Sequence, residues 1–564
     1  MHKLPRAAAV DPSTAVRLRR QGKVWLWAAV AVVPLAFLVI FFVWPVSALV
    51  VRGFFTDTGV NLAGVSEVLS APRTWRIVGQ TVAQAVVATV IAVVLGLPGA
   101  YLLYRTRFRG RRLLRAVVTI PFVLPSVVVG VAFRSLLDRG GLLGFLGWNA
   151  GFVALIAALV FFNYSVVVRT VGVLWARLDS RGVQAARSLG ASPMRVWWTV
   201  TLPALAPAIA AAAALTFLFC AAAFGVVLIL ADQGWGTIET EIWYQTTQLL
   251  DLQAAAALSI LQLVVVGASL LVADVTRSRQ ERALRLAGRS SAHRLRRADL
   301  PAVVVTTIVI GGLLAMPMVA LAVRSLETAE GIGVGNYLRL FAATDTGLPN
   351  VWQATVNSLQ TAVVATLIAV ILGSMVSYLL SRRPSSARGR RVLRVADAAF
   401  MLPLGVSAVT VGFGFLITLN RPPLDLRSSW ILIPIAQAVV ALPLVVRSLL
   451  PTLRAIDPRL HQAASTLGAS PLRLVASIDL PLAARGFGLA LGFAFATSLG
   501  EFGATTFLAR PDRPTLPVAI FHLIGRPGMD NQGMALAASV MLAVLTAVVM
   551  AVAEWVGPKE NRAW

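Results

Sequence analysis

The chain has 564 residues, 58% of them hydrophobic and only 13% charged, against roughly 25% charged in soluble domains. Apolar runs longer than about 18 residues exclude a cytosolic enzyme and a disordered chain, and they point to an all-α polytopic membrane protein. The net charge of +26 comes mostly from arginines in short loops between those runs, the pattern that sets membrane topology, which argues against nucleic acid as a partner.

A spanning helix needs about 20 apolar residues. Segments 25–51, 79–104, 115–137, 150–174, 203–230, 254–274, 300–323, 356–380, 395–418, 431–450, 482–508 and 533–555 qualify, which makes twelve spans. The first is too long for the core of a signal peptide and no small-residue cleavage site follows it, so it reads as a retained span. Basic clusters mark alternate loops. Lys3, Arg6, Arg17, Arg19, Arg20 and Lys23 precede the first span, and Arg105, Arg107, Arg109, Arg111, Arg112 and Arg115 follow the second. Arg277, Arg279, Arg282, Arg285, Arg289, Arg294, Arg296 and Arg297 occupy the centre, and Arg382, Arg383, Arg388, Arg390, Arg391 and Arg394 follow the eighth. All therefore face the cytoplasm, with both termini inside. The loop between spans five and six has no Lys or Arg but holds Asp232, Glu239, Glu241 and Asp251, as an outer loop does. With uncleaved helices and the single cysteine Cys220, a small buried hydrophobe, the bacterial cytoplasmic (inner) membrane is the expected home. One cysteine and four histidines leave no metal site to expect.

The chain repeats itself at an offset of about 278 residues. The apolar run Ala85–Gly96 returns at Ala362–Gly373. The polar match is more telling: Gln184-Ala185-Ala186 followed by Leu189-Gly190-Ala191-Ser192-Pro193 returns as Gln462-Ala463-Ala464 followed by Leu467-Gly468-Ala469-Ser470-Pro471. A Leu-Pro pair follows each, at Leu202-Pro203 and Leu480-Pro481. Six spans per half keep both halves in one orientation, so the repeats are parallel, related by an axis along the membrane normal. The division is a first half at 1–274, an Arg-rich cytoplasmic linker at 275–299, expected as a solvated tether, and a second half at 300–564.

The repeated loops, about 181–203 and 459–481, lie on the cytoplasmic face and are too polar to span. Residues 181–189 and 459–467 have helical spacing with small alanines on one face. Gly190 and Gly468 permit a tight stop, and Pro193 and Pro471 can start the next helix. These loops resemble the EAA loop of ABC importer permeases, with Gln184 and Gln462 in place of its Glu and Val200 in place of its Ile. The resemblance implies two parallel six-helix repeats of the type I ABC importer permease fold. In that family the loop is the coupling helix that docks into a cytoplasmic ATPase. It implies ATPase-coupling roles for Gln184, Ala185, Ala186, Gly190 and Pro203, and for Gln462, Ala463, Ala464, Gly468 and Pro481. The chain has no phosphate-binding loop of its own, since Gly22-Lys23 is followed by Val24. It is accordingly expected to be no enzyme, to have no catalytic residue and to bind no cofactor. ATP acts through a separate ATPase in two copies, and an extracytoplasmic binding protein delivers the cargo.

A fused two-loop chain resembles the thiamine and ferric-iron permeases in particular. Thr237-Ile238-Glu239, Leu499-Gly500-Glu501-Phe502-Gly503 and Thr515-Leu516-Pro517 look like the thiamine type. Thiamine is the expected cargo, with ferric iron or another small solute as the alternative. A carboxylate inside an apolar span usually faces a cavity, a partner or a pathway. This makes Glu501, Phe502 and Phe224 the candidate translocation path, although a packing or gating carboxylate fits Glu501 as well. Its counterpart in the first half is Ala223. If Glu501 lines the path, Glu501→Gln lowers transport without lowering assembly. Trp235 and Trp243 read as interface anchors or as stacking partners for an aromatic cargo. The rival of another class is a twelve-helix secondary transporter. No acid precedes Gly110-Arg111-Arg112 or Gly389-Arg390-Arg391 as its signature requires, and it leaves the paired loops unexplained.

Overall fold

The computed structural model describes residues 31–556 apart from 57–58, 61, 139, 148–150, 180, 232–233, 287–291, 343–348, 382–385 and 421–423. The N-terminal basic cluster, Arg289, Arg382, Arg383, Asp232 and both termini lie outside the described residues. Among them, nine helices are long and apolar enough to cross a membrane, or twelve if each of three bent helix pairs is one span.

The first half runs through α1 (Ala31–Phe54), α2 (Pro72–Arg105), the bent pair α3 (Arg111–Phe122) and α4 (Ser126–Leu137), α5 (Phe152–Arg177), α6 (Arg181–Ser188), α7 (Leu202–Ala221), α8 (Gly225–Leu230), α9 (Ile238–Thr247) and α10 (Leu252–Leu286). The second half repeats them in order as α11 (Arg297–Arg324), α12 (Val351–Leu380), the bent pair α13 (Ala387–Gly405) and α14 (Ala408–Thr418), α15 (Leu432–Arg454), α16 (Pro458–Thr466), α17 (Leu480–Leu499), α18 (Gly503–Leu508), α19 (Leu516–Ile524) and α20 (Met529–Val556).

Lipid offers no hydrophobic drive between helices, so close packing rests on small residues. In α2 the buried stripe Ala85, Ala88, Ala92 and Gly96 lets α5 approach until a Cβ on Gly96 would stand 2.6 Å from a methyl of Val167. The repeat does the same: Ala362, Ala365, Ala369 and Gly373 of α12 face α15, and a Cβ on Gly373 would meet Val445 at 2.5 Å. The apolar run repeated in the sequence is thus one packing surface used twice.

Each first span crosses to the opposite half. α1 packs on α14, where Phe41 and Phe415 have ring centroids 6.3 Å apart. α11 packs on α2 and α4, and Arg324 Nη1 donates to the Ser135 carbonyl at 2.6 Å.

Four expectations change. Spans 115–137 and 395–418 are not straight: α3 meets α4 at 102° and α13 meets α14 at 94°. Pro125, at the N-cap of α4, is itself out of the helical region with ψ 139°, while in the repeat Val406 is extended and Ser407 Oγ accepts from Val409 N at 3.0 Å. Spans 203–230 and 482–508 are each interrupted, between Ala221 and Gly225 and between Leu499 and Gly503. The linker is no free tether. α10 continues to Leu286, because Arg, Gln, Glu and Ala remain good helix formers outside the membrane. Further on, His293-Arg294 pair in parallel with Thr106-Arg107. Asp299, buried, accepts from Tyr101 Oη at 2.6 Å and from Arg296 N at 2.9 Å, and His293 Nε2 lies 3.2 Å away. Finally, Glu239 and Glu241 are buried in α9 rather than displayed on a loop.

Candidate functional site

Two surface loops, one in each half, share one design. α6 ends at Leu189-Gly190, where Gly190 takes φ 82°. Gly190 N donates to the Arg187 carbonyl at 2.9 Å and Ala191 N to the Ala186 carbonyl at 3.0 Å, the paired bonds of a Schellman stop that needs a left-handed residue. α16 ends the same way: Gly468 has φ 81°, its N donates to Ser465 at 3.1 Å, and Ala469 N donates to Ala464 at 3.0 Å. Ser192 and Ser470 then cap the next turn, receiving Arg195 N at 3.4 Å and Arg473 N at 3.3 Å. From Pro193 and Pro471 the helix continues through Trp197–Thr201 and Val475–Asp479 into α7 and α17, which hold Pro203 and Pro481 in their first turns.

No residue of α6 or α16 is buried, so Gln184, Ala185, Ala186, Gln462, Ala463 and Ala464 all stand at the surface. Leu189 and Leu467, directly before the glycines, are each 88% exposed. The two repeats thus hold a large aliphatic side chain out of a polar loop at the same place. Both were visible within the repeated motif, but only their exposure singles them out.

The two helical arms end against one another. The break after α7 carries Phe224 and the break after α17 carries Phe502; their rings stack at 5.6 Å and 22°. Phe502 also lies 5.5 Å from Phe521, which meets Trp243 edge-on at 6.1 Å. Phe224 and Phe502 are repeat counterparts, as are Trp243 and Phe521, so an aromatic seam joins the halves on their pseudo-twofold axis. Trp235 takes no part in it. Its ring packs on Phe152 at 4.7 Å and its Nε1 donates to Gln84 at 3.2 Å, which anchors the loop before α9. Cys220 is buried beside Asn163.

Glu501 is buried and its oxygens are occupied. Ala504 N donates to Oε1 at 2.8 Å, Thr505 N donates to Oε2 at 3.0 Å, and the Thr505 hydroxyl donates to Oε2 as well. The carboxylate caps the start of α18, where helix amides favour negative charge. A second carboxylate was not singled out from the sequence. Glu239, fully buried, receives Gln262 Nε2 at 2.7 Å and Ser407 Oγ at 2.6 Å. The signal for it was Thr237 followed by Thr240 ahead of apolar Ile238 and Ile242, which form the capping box that starts α9. Among the described residues no group of three or more His, Cys, Asp or Glu has the geometry to hold a metal ion.

The model of the binding-protein-dependent transport system inner membrane component family matches residues 88–285 and again 369–562. The chain belongs to this family. Its two matches fall on the two halves, each containing one surface loop of the α6 and α16 kind. The chain is 25% identical to the thiamine transport system permease protein ThiP of Brucella abortus over 85% of its length and 87% of that protein. It is 27% identical to ThiP of Escherichia coli over 80% and 84%. It is also 33% identical over 219 residues to the molybdenum transport system permease protein ModB of Escherichia coli, which covers 36% of this chain and 92% of that one. This chain is therefore a fused ABC importer permease, a multi-pass membrane subunit and not itself an enzyme, which excludes the secondary-transporter alternative.

Proposed function

We propose that this permease imports thiamine. A loaded extracytoplasmic binding protein docks on its outer side, and two copies of a cytoplasmic ATPase dock on α6 and α16. The paired exposure of Leu189 and Leu467 carries the coupling assignment. Gln184, Ala185, Ala186 and Gly190, with Gln462, Ala463, Ala464 and Gly468, form the docking turns, and Pro203 and Pro481 start the arms that lead away from them. The first arm, Pro193–Ala221, runs unbroken for 29 residues, about 43 Å of helix, while the second bends by 63° between Val475–Ala484 and Gly486–Leu499. Displacement of a loop by the ATPase is thus passed along its arm, directly to Phe224 in the first half and through the bend to Phe502 in the second. ATP acts through the partner, and this chain contributes no nucleotide site. The basic loops support a cytoplasmic position for both termini.

Support for the cargo comes from the thiamine permeases, whose likeness extends over both halves. Ferric iron and molybdate are the competing cargoes. Uptake of labelled thiamine, ferric iron and molybdate, measured side by side in cells lacking the chain and in cells with it restored, decides among them. Loss and rescue of thiamine uptake alone is the expected result; loss of either other activity alone reassigns the cargo.

A further inference from the structure

Glu239 joins the two halves. α9 belongs to the first half, whereas Ser407 sits in the elbow between α13 and α14 of the second. The Ser407 hydroxyl donates to Glu239 Oε2 at 2.6 Å, and both residues are buried. Trp243, one helical turn further along α9 on the same face, touches Phe521 of the second half. One face of α9 therefore makes a polar and then an aromatic contact across the seam.

The depth of this contact follows from its neighbours. Ile238 N, at the start of α9, donates to Thr81 Oγ1 at 3.1 Å. Thr81 is nine residues into α2 from its outer end at Pro72, about 14 Å along the axis. Gln262, the other partner of Glu239, is ten residues into α10, about 15 Å down. The contact thus lies well inside the membrane at the level of the interrupted arms, where Gln262 Nε2 also reaches the Ala221 carbonyl that ends α7.

It is also one-sided. The repeat counterpart of Glu239 is Pro517, and that of Ser407, the residue that precedes α14, is Pro125, the residue that precedes α4. Glu241, in the same first turn of α9, does not cross the seam: it pairs with Arg73 at 3.1 Å and accepts from Gln245 at 2.8 Å.

We propose that the Glu239–Ser407 hydrogen bond is a latch that holds the halves together across the membrane centre and must open when they part, which makes Glu239 and Ser407 positioning residues for alternating access. A ligand or partner shifts a two-state equilibrium only by what it gains in one state over the other. A buried hydrogen bond made in the closed seam alone supplies such a difference. The latch rests on the coupling reading given above but is independent of the cargo.

Two measurements test it. In the purified complex of this chain with its ATPase, without binding protein or cargo, Glu239→Ala and Ser407→Ala are expected to raise basal ATP hydrolysis about fivefold or more. Glu239→Gln, which keeps an acceptor, and Ser407→Thr, which keeps the hydroxyl and the cap on α14, stay within about twofold of the unmodified complex, as a retained bond requires. The double alanine variant rises no further than the larger single one. In the chain without ATPase, spin labels at Gln248→Cys and Arg526→Cys, beyond the outer ends of α9 and α19, report the seam directly, and Glu239→Ala shifts their distance distribution to longer values. Unchanged distances and basal hydrolysis in both alanine variants overturn the latch. So does a joint fall in hydrolysis and melting temperature with no recovery by Ser407→Thr, the mark of packing alone. If no ATPase binds the chain, the coupling reading fails while the label distances still decide the latch.

Discussion

The two repeated surface loops trace one backbone and hold it differently. Gly190 and Gly468 differ by one degree in φ, and both loops present a leucine at 88% exposure. Yet α16 is tied down by a side-chain pair, with His461 Nε2 lying 2.6 Å from Asp479 Oδ1 at the end of the turn leading into α17. The corresponding positions in the first half are Val183 and Thr201, which form no such pair. Whatever docks on the loops constrains the path of the main chain in both. It leaves free the means by which each helix is fastened to its arm, so the two loops need not respond equally to the same push.

The largest effect should come from the shared feature. Gly190→Val and Gly468→Val each place a β-branched residue at a left-handed φ, a cost of roughly 1–2 kcal/mol or more. Cargo uptake is expected to fall at least about tenfold for either variant with membrane insertion intact by protease protection; loss from one alone would show that the loops carry unequal duties. A smaller effect tests the difference. His461→Ala leaves buried Asp479 without its partner, a penalty of about 1–3 kcal/mol, and should cut uptake about threefold, whereas Val183→Ala stays near the unmodified rate. Equal responses would mean that the pair does not stiffen the second loop. The smallest effect concerns another one-sided residue. Glu501→Gln weakens the cap on α18 by about 1 kcal/mol. A slightly lower melting temperature is expected, with uptake reduced only in proportion to the complex recovered. A transport defect beyond that would restore Glu501 to the pathway itself.

Much of this was legible because hydropathy and repetition report independently. The twelve spans follow from apolar length alone, and the Gly-Ala-Ser-Pro motif carries a complete stop-and-restart signal that folds as such at 190–193 and 468–471. What hydropathy cannot register is direction. An apolar segment such as 395–418 looks the same whether it is straight or turns by 94° at Val406-Ser407. The elbow depends on one extended residue and one capping hydroxyl, a signal of two positions among more than twenty. Glu239 escaped for a related reason. A segment without Lys or Arg and with four acids resembles an exposed outer loop, and only the tertiary partners Gln262 and Ser407 reveal that one of those acids is buried at the seam. Glu501 was recognised as buried, but its role as a cap depends on the interruption of the span at Gly500, which composition does not disclose. The linker was judged by its charge, while its fastening rests on the single acid Asp299 and on two residues of parallel strand pairing.

That fastened linker bears on how the molecule could have diverged. Two separate half-length subunits built from one gene would carry every substitution twice, so an acid at position 239 would arrive with an acid at 517, and a histidine at 461 with one at 183. Joining the halves in one chain keeps each copy permanently opposite the other at a high effective concentration, whatever the affinity of the seam. Each half is then at liberty to specialise. Glu239 without a twin, Glu501 at the place of Ala223, and the His461–Asp479 pair on one arm alone are the kinds of heritable asymmetry that a homodimer encoded by one gene cannot accumulate.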